Sequence, residues 1–479
     1  MFVATKDNSY VEKWKKLPWS KYDQDLFRLQ HRIYKATQKG EYYKVKKLQS
    51  LILGSQGARS LAVRQITQLN IRKKTPGIDG IRSLNCKQRL QLVKDLKKLS
   101  TWEHLPLRKE YILKSNGEKR TLGIPTIRDR AVQCLIKYAL EPVYEAQASN
   151  GSFGFRPGRS TWDIQSNIFR NLKLTSKGYE KIILELNIEK CFDKMDHNYI
   201  MSKIILPKTA KNIIQSALNA GVLNERITTT EGIQQGGVIS PLLSNIAING
   251  IEDLWNEKFP KTEIYQRGYR YADYMIFFLK PHENAERLRN KVDEFLAKAS
   301  LNLKKSKIKL IKPTDGFDFL GWHFKVKVKN KKFVCYPSQN NYKQMIQNIK
   351  RIMRDTRFSI EQRLLKIKIV YKGWRNYHQY CDLRQINLWS IKKWLNSYLV
   401  QHSKIGREER IKHLRKIFSG HKFKINGFIS VIPNKSPYDN DRLYWVRRGR
   451  DSTNLEPYYV QVRFKSFKYD SFLVESPLK

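Results

Sequence analysis

The residues with most chemical potential are a few carboxylates among aromatic strands, and a large number of cations. Asp273 lies in Tyr271-Ala272-Asp273-Tyr274, at the centre of an aromatic stretch over 264–280 that reads as a β-hairpin. Glu185, Glu189 and Asp193 follow Ile182-Ile183-Leu184, which reads as the start of a strand. Hard divalent cations take oxygen ligands, and carboxylates must neutralise much of their charge. Asp273 alone would hold Mg²⁺ poorly, and a turn Asp that hydrogen-bonds its own backbone explains it equally well. Strand alternation puts residues 186 and 188 on the face opposite Asn187, and Glu185 and Glu189 share its face only if the strand runs that far.

The cations carry the second pattern. In Lys372-Gly373-Trp374-Arg375-Asn376-Tyr377-His378, aromatic and basic residues interleave. Trp374 and Tyr377, at i and i+3, suit a helix core, which leaves Lys372, Arg375 and His378 to face a polyanion. No partner constellation makes His378 a catalyst. Lys114, Lys119 and Arg120 ride on a hairpin over 109–124 whose Asn116-Gly117 turn suits type I′ geometry. Arg156 and Arg159 flank a Gly154, Pro157, Gly158 turn as expected phosphate contacts, and Lys73, Lys74, Arg108, Arg128 and Lys307 complete the set.

The elements that must position these groups belong to a basic chain. Its 479 residues hold 92 Lys+Arg against 43 Asp+Glu, a formal charge of +49 spread along the whole length. Such a chain needs a polyanion, with nucleic acid the leading candidate and an anionic membrane surface the second. The apolar fraction of 41% and aromatic fraction of 12% supply packed cores. Five scattered cysteines without C-x-x-C spacing give no disulfide scaffold or zinc ribbon, and they point to a reducing compartment. The longest uncharged stretch, 232–251, is too rich in Gln, Asn and Pro to span a membrane, and the N-terminus lacks a signal or transit pattern.

Residues 1–100 read as helices broken by the turn Thr75-Pro76-Gly77-Ile78-Asp79-Gly80. Strands and helices then mix, which suits an α+β, palm-like arrangement. After residue 335 the pattern is helical, with Met345, Ile346, Ile349, Ile352 and Met353 in register and a capping box from Ser359 to Gln362. Periodicity does not assign residues 400–479.

Seven segments in order resemble the reverse transcriptase/maturase proteins encoded within group II introns. They are the Lys74–Gly80 turn, Arg120–Arg130, Phe153–Ser160, Gln235–Leu243, Tyr271-Ala272-Asp273, Gly316–Gly321, and Gly373-Trp374-Arg375-Asn376-Tyr377. The resemblance implies a right-hand polymerase-like fold of fingers and palm, then an α-helical thumb or maturase (X) domain and a basic C-terminal region. The implied divisions are 1–100 (N-terminal extension and helical start), 101–325 (fingers and palm), 326–400 (thumb/X domain) and 401–479. Asn434–Asp439, with Tyr444-Trp445, is similar to the stretch that precedes an HNH endonuclease in cyanobacterial and plastid relatives. The paired CxxC motifs of that nuclease are missing, so DNA cleavage is not expected.

The family's polymerase site uses one Asp at a strand end and two adjacent Asp in a Y-A-D-D turn, holding two Mg²⁺ ions. Here Asn187 and Tyr274 occupy two of those positions and only Asp273 remains. Tyr274 is a neutral phenol at pH 7, and Asn187 offers an oxygen without charge. The expected catalytic and metal residues are therefore none, with Asp273 a residual contact at most. Phe192 stands where the family has its sugar-discriminating residue. Ile233 and Gln234 depart from the usual T-P before Gln235-Gly236-Gly237, which weakens a nucleotide pocket further.

The expected function is that of a splicing cofactor: a maturase that binds structured group II intron RNA and favours its active fold, with polymerisation lost. No cofactor is required by the protein itself, and Mg²⁺ is expected for the intron RNA. DNA is a weak partner at most, and no membrane is implied. Two alternatives stay open, an RNA-directed DNA polymerase with a rebuilt metal site and a general RNA-binding factor serving several introns. Heavy use of Lys, Asn and Ile suits a plastid genome, with the bacterial cytoplasm as the other setting.

Overall fold

The structure, a computed structural model, describes residues 2–70, 74–113, 119–173, 177–221, 230–258, 264–329, 332–383 and 386–418, together with the backbone of short strands at 430–431, 443–448 and 458–463. Five helices open the chain: α1 (Phe2–Lys15), α2 (Trp19–Gln38), α3 (Tyr42–Gly54), α4 (Gln56–Arg64) and α5 (Cys86–Asp95). Asn85 and Gln88 close a reciprocal capping box at the start of α5. The hairpin of β1 (Arg108–Leu113) and β2 (Lys119–Ile124) follows, with Leu113 opposite Lys119. Its Asn116-Gly117 tip lies outside the described residues.

Helix α6 (Ile127–Gln147) is the spine of the N-terminal half. Thr126 caps it by accepting from the Asp129 amide, and the helix is buried on nearly every side. Buried amides tie other elements to it: Gln30 of α2 donates to the Tyr138 carbonyl, and Gln49 of α3 donates to those of Ala139 and Ile205.

Beyond α7 (Thr161–Leu172) comes the central sheet, order β6-β7-β3-β8, built from β3 (Ile182–Asn187), β6 (Gly268–Tyr271), β7 (Tyr274–Leu279) and β8 (Lys309–Ile311). Helices α8 (His197–Lys203), α9 (Lys208–Asn219) and α10 (Ser240–Ala247) and the two-residue strands β4 (Glu257–Lys258) and β5 (Ile264–Tyr265) lie between β3 and β6, and α11 (Ala285–Ala297) precedes β8. Alternation in these strands divides two cores. Leu184, Leu186, Met275, Phe277 and Leu279 face the large core shared with α6, whereas Ile183, Ile276 and Phe278 face a second core. That second core takes Ile164, Ile168 and Leu172 from α7 and Phe317, Trp322 and Phe324 from the sheet of β9 (Phe317–Phe319), β10 (Trp322–Lys327) and β11 (Lys332–Pro337).

Four helices then form a third core: α12 (Gln339–Arg354), α13 (Ile360–Tyr377), α14 (Trp389–His402) and α15 (Arg407–Phe418). Met345, Ile349 and Met353 supply its α12 face, and the Ser359–Gln362 capping box starts α13 as the sequence predicts. The bundle continues through residue 400, since Phe418 of α15 packs edge-on to Tyr371 at 4.9 Å. Tyr377 seals the bundle to the sheet: its ring stacks on Trp322 at 4.7 Å, its hydroxyl donates to the Leu320 carbonyl, and its carbonyl accepts from Trp162. Strands β12 (Ser430–Val431), β13 (Leu443–Arg448) and β14 (Tyr458–Arg463) make a small antiparallel sheet. No described helix is long and apolar enough to cross a membrane.

Candidate polymerase-like site and RNA interface

The predicted strand and hairpin meet in the central sheet. Asn187, the last residue of β3, pairs directly with Tyr274, the first residue of β7. Ala272 and Asp273 form the two-residue turn between β6 and β7, with Ala272 in the left-handed region at φ 56°. The Ile188 amide donates to the Asp273 carbonyl at 3.1 Å, so the turn and the end of β3 are one unit. Asn187, Asp273 and Tyr274 thus stand together at the end of β3 and the β6–β7 turn. Asn187 is buried, and Tyr274 packs against the second core. Phe192 is partly buried against the large core. Both rings are therefore engaged in packing.

A buried polar network holds this turn. Arg270, fully buried, forms an ion pair with Glu252 and donates to Asn245 Oδ1 (2.9 Å), Ser152 Oγ (2.9 Å) and the Ala272 carbonyl (3.2 Å). Asn245 in turn donates to the Gly154 carbonyl at 2.7 Å. Gly154 has to be glycine here, because a Cβ would lie 2.4 Å from the Ala272 amide nitrogen. The Gln235-Gly236-Gly237 loop is tied to β2 and to the segment after β3: the Gly123 amide donates to the Gln235 carbonyl, and the Gln235 side chain donates to Asp193 Oδ1 at 2.9 Å.

The donor set does not fit a two-Mg²⁺ site. One carboxylate, one amide and one phenol supply a single negative charge where such a site needs several. Glu185 shares the face of Asn187, yet it is buried and lies 3.8 Å from Lys309. Burial pushes its carboxyl up, with Lys309 and Lys307 opposing. Glu189 falls beyond the strand end, 3.9 Å from Lys194. Among the described residues no group of three His, Cys, Asp or Glu side chains is placed to hold a metal ion.

The predicted RNA contacts separate by burial. Lys74, Arg128, Lys307 and Lys372 are exposed, and Arg375 is partly exposed. Arg128 lies 4.0 Å over the Trp102 ring. Arg159 is partly buried, and burial, with Arg156 nearby, pushes its guanidinium down. Lys73 and Lys114 lie outside the described residues, as do the side chains of Lys119 and Arg120.

Two expectations need correction, and a third cation, Arg108, has partners within the chain. Arg156 does not face solvent: it is buried, donates through Nε and Nη2 to Glu145 at 2.8 and 2.9 Å, and uses Nη1 on the Ser149 and Ser152 carbonyls. Burial opposes its charge, but Glu145 holds it firmly protonated. His378 is also fully buried, its Nε2 2.8 Å from Asn341 Oδ1, and burial pushes its imidazole down to about 3. Arg108 is half-buried, with Nε on the Pro76 carbonyl at 2.9 Å and a guanidinium nitrogen 2.7 Å from Glu110. It pins the Thr75-Pro76-Gly77 turn, as does Arg130, which donates to the Thr75 carbonyl at 2.7 Å.

The structure also sets further cations beside the predicted Lys307. Lys304, Lys305, Lys307 and Lys309 are all exposed along the approach to β8 and on the strand itself, and the Lys304 amide donates to the Asn187 carbonyl. Lysines crowding an edge strand are a legible signal, though edge protection produces it as well. On the helical bundle, Lys350 and Arg354 flank the Trp394 ring at 5.4 and 5.9 Å.

A hairpin-borne Asp beside a strand end, a glycine-rich loop against a fingers hairpin, and a following helical bundle define a reverse transcriptase-like protein. Comparison agrees segment by segment. Residues 14–96 match the N-terminal domain of reverse transcriptase, 112–324 match reverse transcriptase (RNA-dependent DNA polymerase), and 342–420 match the group II intron maturase-specific domain. Maturase-like protein 1 of Euglena gracilis is 36% identical over 379 residues, 78% of this chain and 80% of that protein. Its Euglena longa counterpart is 32% identical over 79% of this chain and 81% of that one. The group II intron-encoded protein LtrA of Lactococcus lactis is 34% identical over 36% of this chain and 28% of its own length. The chain belongs to the group II intron reverse transcriptase/maturase family, and its function is that of an intron maturase.

Proposed function

We propose that this maturase works by binding structured group II intron RNA without making or breaking bonds, and that it does not polymerise. The observation that carries this reading is the in-register pair of Asn187 and Tyr274, which leaves Asp273 as the lone carboxylate of the site. Exposed lysines around that site and on the helical bundle neutralise phosphates and release counterions. The protein selects the compact intron fold by binding it more tightly than misfolded states, and it shifts the equilibrium by that difference alone. RNA shape, loops and 2′-hydroxyls supply specificity. The intron performs transesterification with its own Mg²⁺.

The Lys-rich, Asn- and Ile-rich composition and the Euglena relatives favour a plastid setting. The test is splicing in vitro of an intron from the same genome, with and without the protein, beside primer extension on a synthetic template. Faster splicing with no Mg²⁺-dependent extension supports the reading. Extension abolished by Asp273→Ala would refute it in favour of a rebuilt polymerase site.

A further inference from the structure

Where the central sheets meet the helical bundle, two of the five cysteines are neighbours. Cys335 lies on β11 and Cys381 follows the end of α13; both are buried in the same core. The Asp382 amide donates to the Cys335 carbonyl at 2.7 Å, which fixes the two backbones side by side. Burial, together with the neighbouring Cys335 thiol, raises that of Cys381. Gln165 Nε2 is 3.2 Å from Cys335 Sγ, and Cys381 Sγ is 3.1 Å from the His378 carbonyl. A disulfide requires neighbouring backbones, and here two buried thiols of one core sit on backbones that hydrogen-bond to each other.

We propose that Cys335 and Cys381 form a reversible disulfide that staples the helical bundle to the three-stranded sheet. The inference is independent of RNA binding. The oxidant is a small disulfide such as oxidised glutathione. One cysteine, as thiolate, attacks a glutathione sulfur, releasing one glutathione thiolate and leaving a mixed disulfide. The second cysteine thiolate then attacks the protein sulfur of that mixed disulfide and expels the second glutathione. Two protein thiols and one glutathione disulfide thus become one protein disulfide and two glutathione thiols, the protons passing to solvent or to the departing thiolates. Burial raises the Cys381 thiol, so exchange is slow and requires local opening of the segment after α13. Once closed, the bond spans the junction that Trp322, Tyr377 and Trp162 already seal.

The test uses the full chain, held natively in glutathione buffers from fully reduced to fully oxidised. Alkylation followed by proteolysis and mass spectrometry should yield one cross-linked peptide pair, Cys335 with Cys381, two hydrogens lighter than the thiols. The number of alkylated cysteines should fall from five to three. The thermal midpoint should rise by at least a few degrees, reversibly with dithiothreitol. Cys381→Ser and Cys335→Ser should each abolish both changes. Should neither serine variant fold, the peptide from the wild-type chain still decides. Recovery of five free thiols from folded, fully oxidised protein, or a link between any other pair, would overturn the proposal. A midpoint that does not rise on linkage would refute the staple.

Discussion

Arg156 separates a structural strut from an RNA contact. The sequence places it beside a turn, where a basic residue suggests phosphate; the structure commits its Nε, Nη1 and Nη2 to four acceptors. Arg156→Met removes the guanidinium and leaves the Glu145 carboxylate, whose side chain is fully buried, without a counter-charge. Breaking a buried pair from one side costs about 3–5 kcal/mol. At a urea dependence of about 3 kcal/mol/M, that shifts the unfolding midpoint down by about 1 M or more. The double variant Arg156→Met/Glu145→Leu removes both charges. It should recover at least half of the loss, short of full recovery because the Ser149 and Ser152 carbonyls still lose their donor. Urea unfolding of the four members of this cycle measures the coupling directly. An RNA contact would behave differently: affinity would drop for every RNA, the salt slope would shrink by about one, and stability would stay within about 1 kcal/mol of wild type. That outcome would refute the strut. Arg357, exposed and paired with the nearby Asp355, is the control, and Arg357→Ala should leave the midpoint unchanged.

Three further outcomes are expected. His378 is held near a pKa of about 3 while the unfolded chain titrates near the ordinary 6.5, so the unfolded state takes up a proton first as pH falls. Stability is therefore lost below about pH 6.5, by about 1.4 kcal/mol per unit down to the folded value. His378→Gln should remove about 2 kcal/mol of the loss between pH 7 and pH 5, and equal slopes in urea titrations would refute the assignment. Asn187→Asp and Tyr274→Asp singly should give no Mg²⁺-dependent primer extension, whereas the double variant should exceed wild type by about 10²-fold or more; extension by the wild-type chain would contradict this. Intron affinity in filter binding should fall by about 10³-fold between 50 and 200 mM salt, and a change below tenfold would rule out the phosphate mechanism.

Much of the fold was legible because it rests on local patterns. The aromatic alternation over 264–280 reads directly as β6 and β7, and the Ser359–Gln362 box marks the start of α13 to the residue. The absence of a carboxylate at 187 and 274 is equally plain, since it needs only the residue identities. Burial of individual charges was not legible. Arg156 looks like a surface cation because Glu145, its partner, lies in α6, across the 148–152 turn. His378 stands beside Arg375 and Lys372 in sequence, but it is turned inward by Asn341, 37 residues away on α12. The Arg270–Glu252–Asn245 network joins three separate elements, and its Ser152 partner lies 118 residues from Arg270. Pattern reads periodicity and turns well, whereas the pairing of one buried charge with another is a tertiary fact.

The register of β3 and β7 supplies a reason for neutral residues to stand at 187 and 274 together. Residues 187 and 274 face each other across β3 and β7, and position 187 is buried. Carboxylates at both positions would set like charges directly opposite one another, which destabilises a sheet, and burial would add a desolvation cost. Bound Mg²⁺ offsets both penalties in a working polymerase. Without a need for the metal, stability favours neutral partners at both positions, and an amide facing a phenol meets that demand. The groups that shape the turn respond to a different requirement. Arg270, Glu252, Asn245, Ser152 and Gly154 hold the Ala272-Asp273 loop through charge and backbone contacts that need no metal. Residues 187 and 274 carry no charge, while the buried Arg270–Glu252 pair helps to hold the turn. Such a division is what the proposed role, RNA binding without polymerisation, requires of the palm.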